Sequence, residues 1–209
     1  MRKDQKLLAL VLLLVAILFA FSVGGIEKNT ATTLSYPATV CPGNLSDGSN
    51  TVFLPNTKTN VSPIPSKLGK LKSASSSNIA SNKPLLIDGG NVTSLVVTHS
   101  TGGLGASICS ISDGNDWFIG GSSSVSSKGT LALINSGLSS AQVDINVYSS
   151  KASAVLAKPI PANSEVDIPL DSLAPGDNAI ALNVLTRSGR VSSFVFDYRK
   201  SGLRSIGAD

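Results

Sequence analysis

Histidine is almost missing from this chain: His99 is the only one among 209 residues. There are just two cysteines, Cys41 and Cys109, and no CxxC, which leaves too few ligands for a zinc site and too few bases for a thiol nucleophile. His99 stands beside Ser100 in VVTHSTGG, yet no Gly-x-Ser-x-Gly elbow exists, so a hydrolase is the last functional reading to consider. The acidic residues fall in turns or on solvent faces with no aromatic cleft beside them, which argues against glycoside hydrolysis. Gly102-Gly103-Leu104-Gly105 lacks the spacing of a phosphate loop, and Asp113, Asn115 and Asp116 lack the twelve-position pattern of a calcium loop. No catalytic residue, metal or cofactor is therefore assigned. Charge of one sign is missing as well. Past residue 26, 14 basic residues meet 12 acidic ones, and nothing points to nucleic acid.

What is present begins at the N-terminus. After MRKDQK the chain runs uncharged from Leu7 to Ile26, and these 20 residues make about 30 Å of helix, the thickness of a bilayer core. Arg2, Lys3 and Lys6 against Asp4 keep residues 1–6 in the cytoplasm and send everything after Ile26 outside. The run is longer than the apolar part of a secretory leader, so it is expected to stay as a single-pass signal anchor. Cleavage near Ala20-Phe21-Ser22 or Val23-Gly24-Gly25, giving a secreted protein, is the alternative.

From residue 27 the composition is Ser, Thr, Val and Ile with turn-forming Gly, Asn, Asp and Pro, and no helical period recurs. An all-β fold is predicted. In an oxidising compartment Cys41 and Cys109 are each other's only partner, and a disulfide between them is predicted. It would close a loop of about seventy residues, worth roughly 4 kcal/mol on the chain-entropy account. Cys109 opens CSISDGNDWFIGG, where Asp113-Gly114-Asn115 is turn chemistry and Trp117 and Phe118 point to opposite faces of the following strand. One of those rings is expected to pack on the disulfide and cap the fold; stacking of Trp117 on a sugar or peptide is the functional alternative.

Two regions follow from texture. Residues 27–110 are loop-rich, with Lys58, Lys67, Lys70, Lys72 and Lys83 in a segment (56–83) that has no acidic residue. That segment reads as a solvated loop or edge strands, with a patch for anionic headgroups or wall polymer as the alternative. Within the region PLLIDGG, NVTSLVVTHS and ASICSI, then DWFIGG beyond it, read as a β-meander. Residues 111–209 carry GTLALINSG, AQVDINVYS, SEVDIPL, NAIALNVLT and RVSSFVFDY. Val143, Ile145 and Val147 alternate with Asp144, Asn146 and Tyr148; Phe194, Phe196 and Tyr198 alternate with Val195, Asp197 and Arg199. Ser188-Gly189 reads as a tight hairpin turn. With Ala154–Pro159 and the strand at Trp117, these segments make an Ig-like antiparallel β-sandwich preceded by a smaller β-rich region.

The order Cys109, Asp116-Trp117-Phe118, Gly120-Gly121, LALINSGLSSAQVDINVY, the Leu173-Ala174-Pro175-Gly176 corner, Gly202-Leu203 and Gly207-Ala208-Asp209 resembles an uncharacterised family of actinobacterial exported, membrane-anchored proteins. The resemblance spans about residues 105–209. It implies a secreted β-sandwich module of unknown function, with no catalytic residues to carry over, in chains that continue past the position of Asp209. The functional expectation is a noncatalytic extracytoplasmic envelope protein, attached through Leu7–Ile26, that serves as a protein-interaction or structural module. The alternative is a cell-wall polysaccharide-binding module using Trp117, Tyr148 or Tyr198. Burial of Trp117 and both tyrosines would remove that alternative.

Overall fold

The computed structural model describes residues 38–44, 49–54, 59–65, 72–74, 77–88, 93–100, 103–151, 153–199 and 204–207. The Leu7–Ile26 segment, Lys58, Lys67 and Lys70 lie outside these. Short β-branched and apolar runs broken by Gly, Asn, Asp and Pro produce short strands. The first region holds β1 (Ala38–Cys41), β2 (Ser49–Phe53), β3 (Asn60–Pro63), β4 (Lys72–Ser73), β5 (Asn78–Ala80), β6 (Leu85–Asp88), β7 (Leu95–Ser100) and β8 (Gly103–Ile108). The second holds β9 (Asn115–Ile119), β10 (Ser127–Asn135), β11 (Ala141–Ser149), β12 (Ser153–Ile160), β13 (Ser164–Pro169), β14 (Ile180–Ser188), β15 (Val191–Arg199) and β16 (Arg204–Gly207). One helical turn, Leu170–Leu173, interrupts them. The all-β expectation agrees with this.

The strands form four antiparallel sheets. Sheet I is ordered β1-β6-β3-β4, sheet II β5-β2-β7-β8, sheet III β13-β10-β15-β16 and sheet IV β12-β11-β14-β9. Sheet III is the middle layer. Leu131, Leu133, Val191 and Val195 on one of its faces join Phe118, Val143, Ile145, Leu182 and others of sheet IV in a first core. Ala132, Ile134, Phe194 and Phe196 on its other face join Val40, Val52, Ile87, Val96 and the cysteines in a second. Burial on both faces explains why LALI and SSFVF read as unbroken apolar or small-residue runs, while β11, with one face in water, alternates. Residues 37–209 form one compact unit, because the two regions share this second core.

The expected meander is not formed. β6 pairs with β1 and β3, β7 pairs with β8 and β2, and β9 joins β14 in another sheet. Of those four segments only β7 and β8 are hairpin neighbours. Ser188-Gly189 is not a hairpin turn either: β14 lies in sheet IV and β15 in sheet III, so the turn carries the chain between layers. The crossing is tight. Gly189 has φ +90°, and a Cβ there would collide with the Ala141 side chain and stand 2.8 Å from its Cα. Local turn chemistry is the same for both outcomes, and core burial decided between them. The lysine-bearing segment supplies two edge strands, β4 of sheet I and β5 of sheet II, but also β3, which lies inside sheet I between β6 and β4 and departs from the expectation of loop or edge strands alone.

Candidate functional site

Sheet IV turns one face to the first core and the other outward. The period of two puts Asn115, Trp117 and Ile119 of β9 outside and Asp116 and Phe118 inside. Asp144, Asn146 and Tyr148 of β11 face outward as the alternation predicts. In register, Trp117 lies opposite Asn183, which lies opposite Asn146; Ile119, Ala181 and Tyr148 make the next row. Trp117 and Tyr148 thus stand on β9 and β11, two strands and about 10 Å apart at the backbone. Ala181 of β14 separates them, and its small side chain lets the rings lean together. Their centroids are 5.8 Å apart and their planes differ by 15°. Both stay open to solvent, at 46% and 43% exposure.

Beside the rings runs a ladder of amides. Asn146 Nδ2 donates to Asn183 Oδ1 at 2.9 Å, and Asn183 Nδ2 donates to Asn115 Oδ1 at 2.6 Å and to the Asp116 carbonyl at 3.2 Å. Asn183 is nearly buried, so its bonds hold the outer two amides in place. Farther along the face Arg187 Nε donates to Asp144 Oδ2 at 2.7 Å. The end of β11 is clamped close to Tyr148: the Ser150 amide and hydroxyl donate to the buried Asp177 carboxylate at 2.8–3.0 Å. Burial alone would raise the Asp177 carboxyl; hydrogen bonds from Ser150, Ala179 and Ser149 outweigh it and hold the group below its ordinary value. The Asp177 carbonyl and amide also engage Ser122 and Ser123, tying the β9–β10 loop to the Pro175-Gly176 corner.

The remaining candidates fall elsewhere. Cys41 and Cys109 are disulfide-bonded, with Cα atoms 4.5 Å apart, and sit in the second core. Phe118 belongs to the first core and Trp117 to the outer face, so neither ring packs on the disulfide as expected. The reason is that β9 pairs with β14: its inward residue meets the near face of sheet III, while the disulfide lies beyond the far face. Tyr198 is partly buried against the second core on β15 and does not join Trp117 and Tyr148. His99 falls in β7, and its side chain lies outside the described residues. Among the described residues no three metal-ligating side chains cluster. A groove of about 620 Å³ at the β9–β10 loop is lined by hydroxyls of Ser123, Ser124, Ser127 and Thr130 with Lys128 and Asp171, and lacks an aromatic wall. The amide ladder was missed in sequence; its signal was Asn183 inside NAIALNVLT, since asparagine is depleted in strand interiors.

These features define a disulfide-linked, all-β, sandwich-like domain with an aromatic and amide outer face. The chain belongs to the family described as Family of unknown function (DUF5719), which matches residues 87–209. No curated protein matches it. Among solved structures it is similar to Thermotoga maritima 1070, at 16% identity over 44% of this chain and 86% of that one, with a TM-score of 0.36. It is also similar to the Anabaena sensory rhodopsin transducer, at 19% identity over 40% of this chain and 99% of that one, with a TM-score of 0.30.

Proposed function

We propose that this chain is a noncatalytic, extracytoplasmic module of the cell envelope that binds cell-wall polysaccharide through the outer face of sheet IV. The observation carrying this reading is the exposed, near-parallel Trp117–Tyr148 pair beside a fixed ladder of amides. Sugar rings present flat C–H faces and a rim of hydroxyls, which match aromatic faces and amides respectively. The Leu7–Ile26 run and the resemblance to actinobacterial exported, anchored proteins support an anchored position outside the membrane. Strand pairing supports reading sheets III and IV as Ig-like: β10 with β13 and β11 with β14 pair as in that fold, β12 extends the second sheet, and the first and last long strands, β9 and β15, exchange places. A second reading, docking of an envelope protein, draws on the exposed row Phe53–Leu95–Ile108 of sheet II.

The test is retention of the full chain on purified cell wall. Trp117→Ala and Tyr148→Ala are each expected to weaken retention about tenfold, roughly 1.4 kcal/mol, with thermal unfolding little changed because both rings are half-exposed. Undiminished retention of both variants, or none by the parent chain, refutes the reading.

A further inference from the structure

We infer that the polysaccharide taken by this face is uncharged, and that its chain crosses the strands instead of following them. The inference rests on the reading of sheet IV as the glycan site and specifies its ligand. Of the outward residues on β9, β11, β12 and β14, only Asp144 and Arg187 carry charge, and they neutralise each other across 2.7 Å. Arg187 is engaged through Nε, the guanidinium edge nearest its stem. An acidic polymer would meet no unpaired cation there, and placing its carboxylates or phosphates beside Asp144 would add repulsion. A basic polymer would face the converse problem at Arg187. Lys158 of β12 lies opposite Val143, on the inward register, and the other outward polar groups on these strands are amides and hydroxyls, which both donate and accept and suit neutral hydroxyls.

Direction follows from the ladder. Asn115, exposed, and Asn146, half-buried, are its ends, on β9 and β11, with Asn183 between them as the buried strut. Their backbones stand two strand spacings, about 10 Å, apart, and their amides reach toward each other through Asn183, so the ladder spans roughly one to two sugar residues of an extended chain. Trp117 and Tyr148 stand on the same two strands, so a chain crossing from β9 to β11 meets a ring and an amide on each. A chain lying along one strand would meet only one end of the ladder.

The experiment measures binding of the full chain to an uncharged linear glucan or mannan oligosaccharide series and to polygalacturonate, each at low and high salt, with Trp117→Ala and Asn146→Ala alongside. The expected result is binding to a neutral series that changes less than twofold with salt, strengthens up to a short oligomer and then levels, and falls fivefold or more in each variant. Capture of polygalacturonate alone, with steep salt dependence but still lost in Trp117→Ala, overturns the uncharged ligand and leaves the glycan site standing. Absence of binding to either polymer, or binding that Trp117→Ala leaves intact, overturns both. Affinity that keeps rising with oligomer length overturns the crossing direction.

Discussion

Glu165 offers the sharpest quantitative check on the packing between the two regions. It lies on β13 opposite Ile134, with Oε2 3.1 Å from where a Cβ on Gly43 would stand and Oε1 buried without a hydrogen-bond partner among the described residues. Burial raises its carboxyl, the neighbouring Asp167 charge raises it further, and the Gly43 amide pulls it down; the outcome is about 7 against an ordinary 4.5. The folded state therefore holds a proton that the unfolded state releases. Below pH 4.5 both states are protonated and the site costs nothing; stability falls as pH rises from there to about 7 and then levels. The difference amounts to about 3 kcal/mol at pH 8. Urea unfolding of the parent chain and Glu165→Gln between pH 5 and pH 8, with the disulfide intact, measures it. The parent is expected to lose about 2–3 kcal/mol over that range relative to the variant, which should be the more stable of the two at pH 8. Parallel pH profiles would show that Glu165 is solvated and that the Gly43–β13 contact is open.

Three further outcomes follow from particular contacts. Replacing Cys41 and Cys109 together by alanine frees a loop closed over a separation of 68 residues and is expected to cost about 4 kcal/mol in urea unfolding; a loss under about 1 would refute the entropic account. Asn135 is fully buried, with Nδ2 reaching the Ser139, Ile160 and Pro161 carbonyls at 2.9–3.1 Å and Oδ1 accepting from the Gly137 amide. Asn135→Ala is expected to destabilise by about 2–4 kcal/mol in the same assay, and an unchanged midpoint would mean water replaces those bonds. Gly189→Ala is expected to cost about 2–3 kcal/mol, because positive φ and the collision with Ala141 act together. Adding Ala141→Gly should recover part of that loss; no recovery would leave backbone strain as the whole cause.

Strand existence was legible where side chains repeat with a period of two, and pairing was not. AQVDINVYS showed which residues of β11 face out, and so marked Tyr148 and Asn146 in advance. It could not show that β9 would lie two strands away and bring Trp117 over the same face, since β9 and β11 are joined through β14, some sixty residues further along the chain than β9. Tyr198 had the same apparent qualification as Tyr148, an aromatic at an alternating position. It differs only because both faces of sheet III are covered.

The linear chain by itself determined the all-β class, most strand positions and the pairing of its two cysteines, because each depends on local periodicity, turn chemistry or the absence of any other partner. Which strands share a sheet, which turn reverses within a layer and which crosses between layers, and which aromatics meet were decided by the tertiary structure. Those choices depend on burying apolar faces contributed by distant segments, and the free energy of that burial is a property of the assembled layers, written in no single stretch of residues.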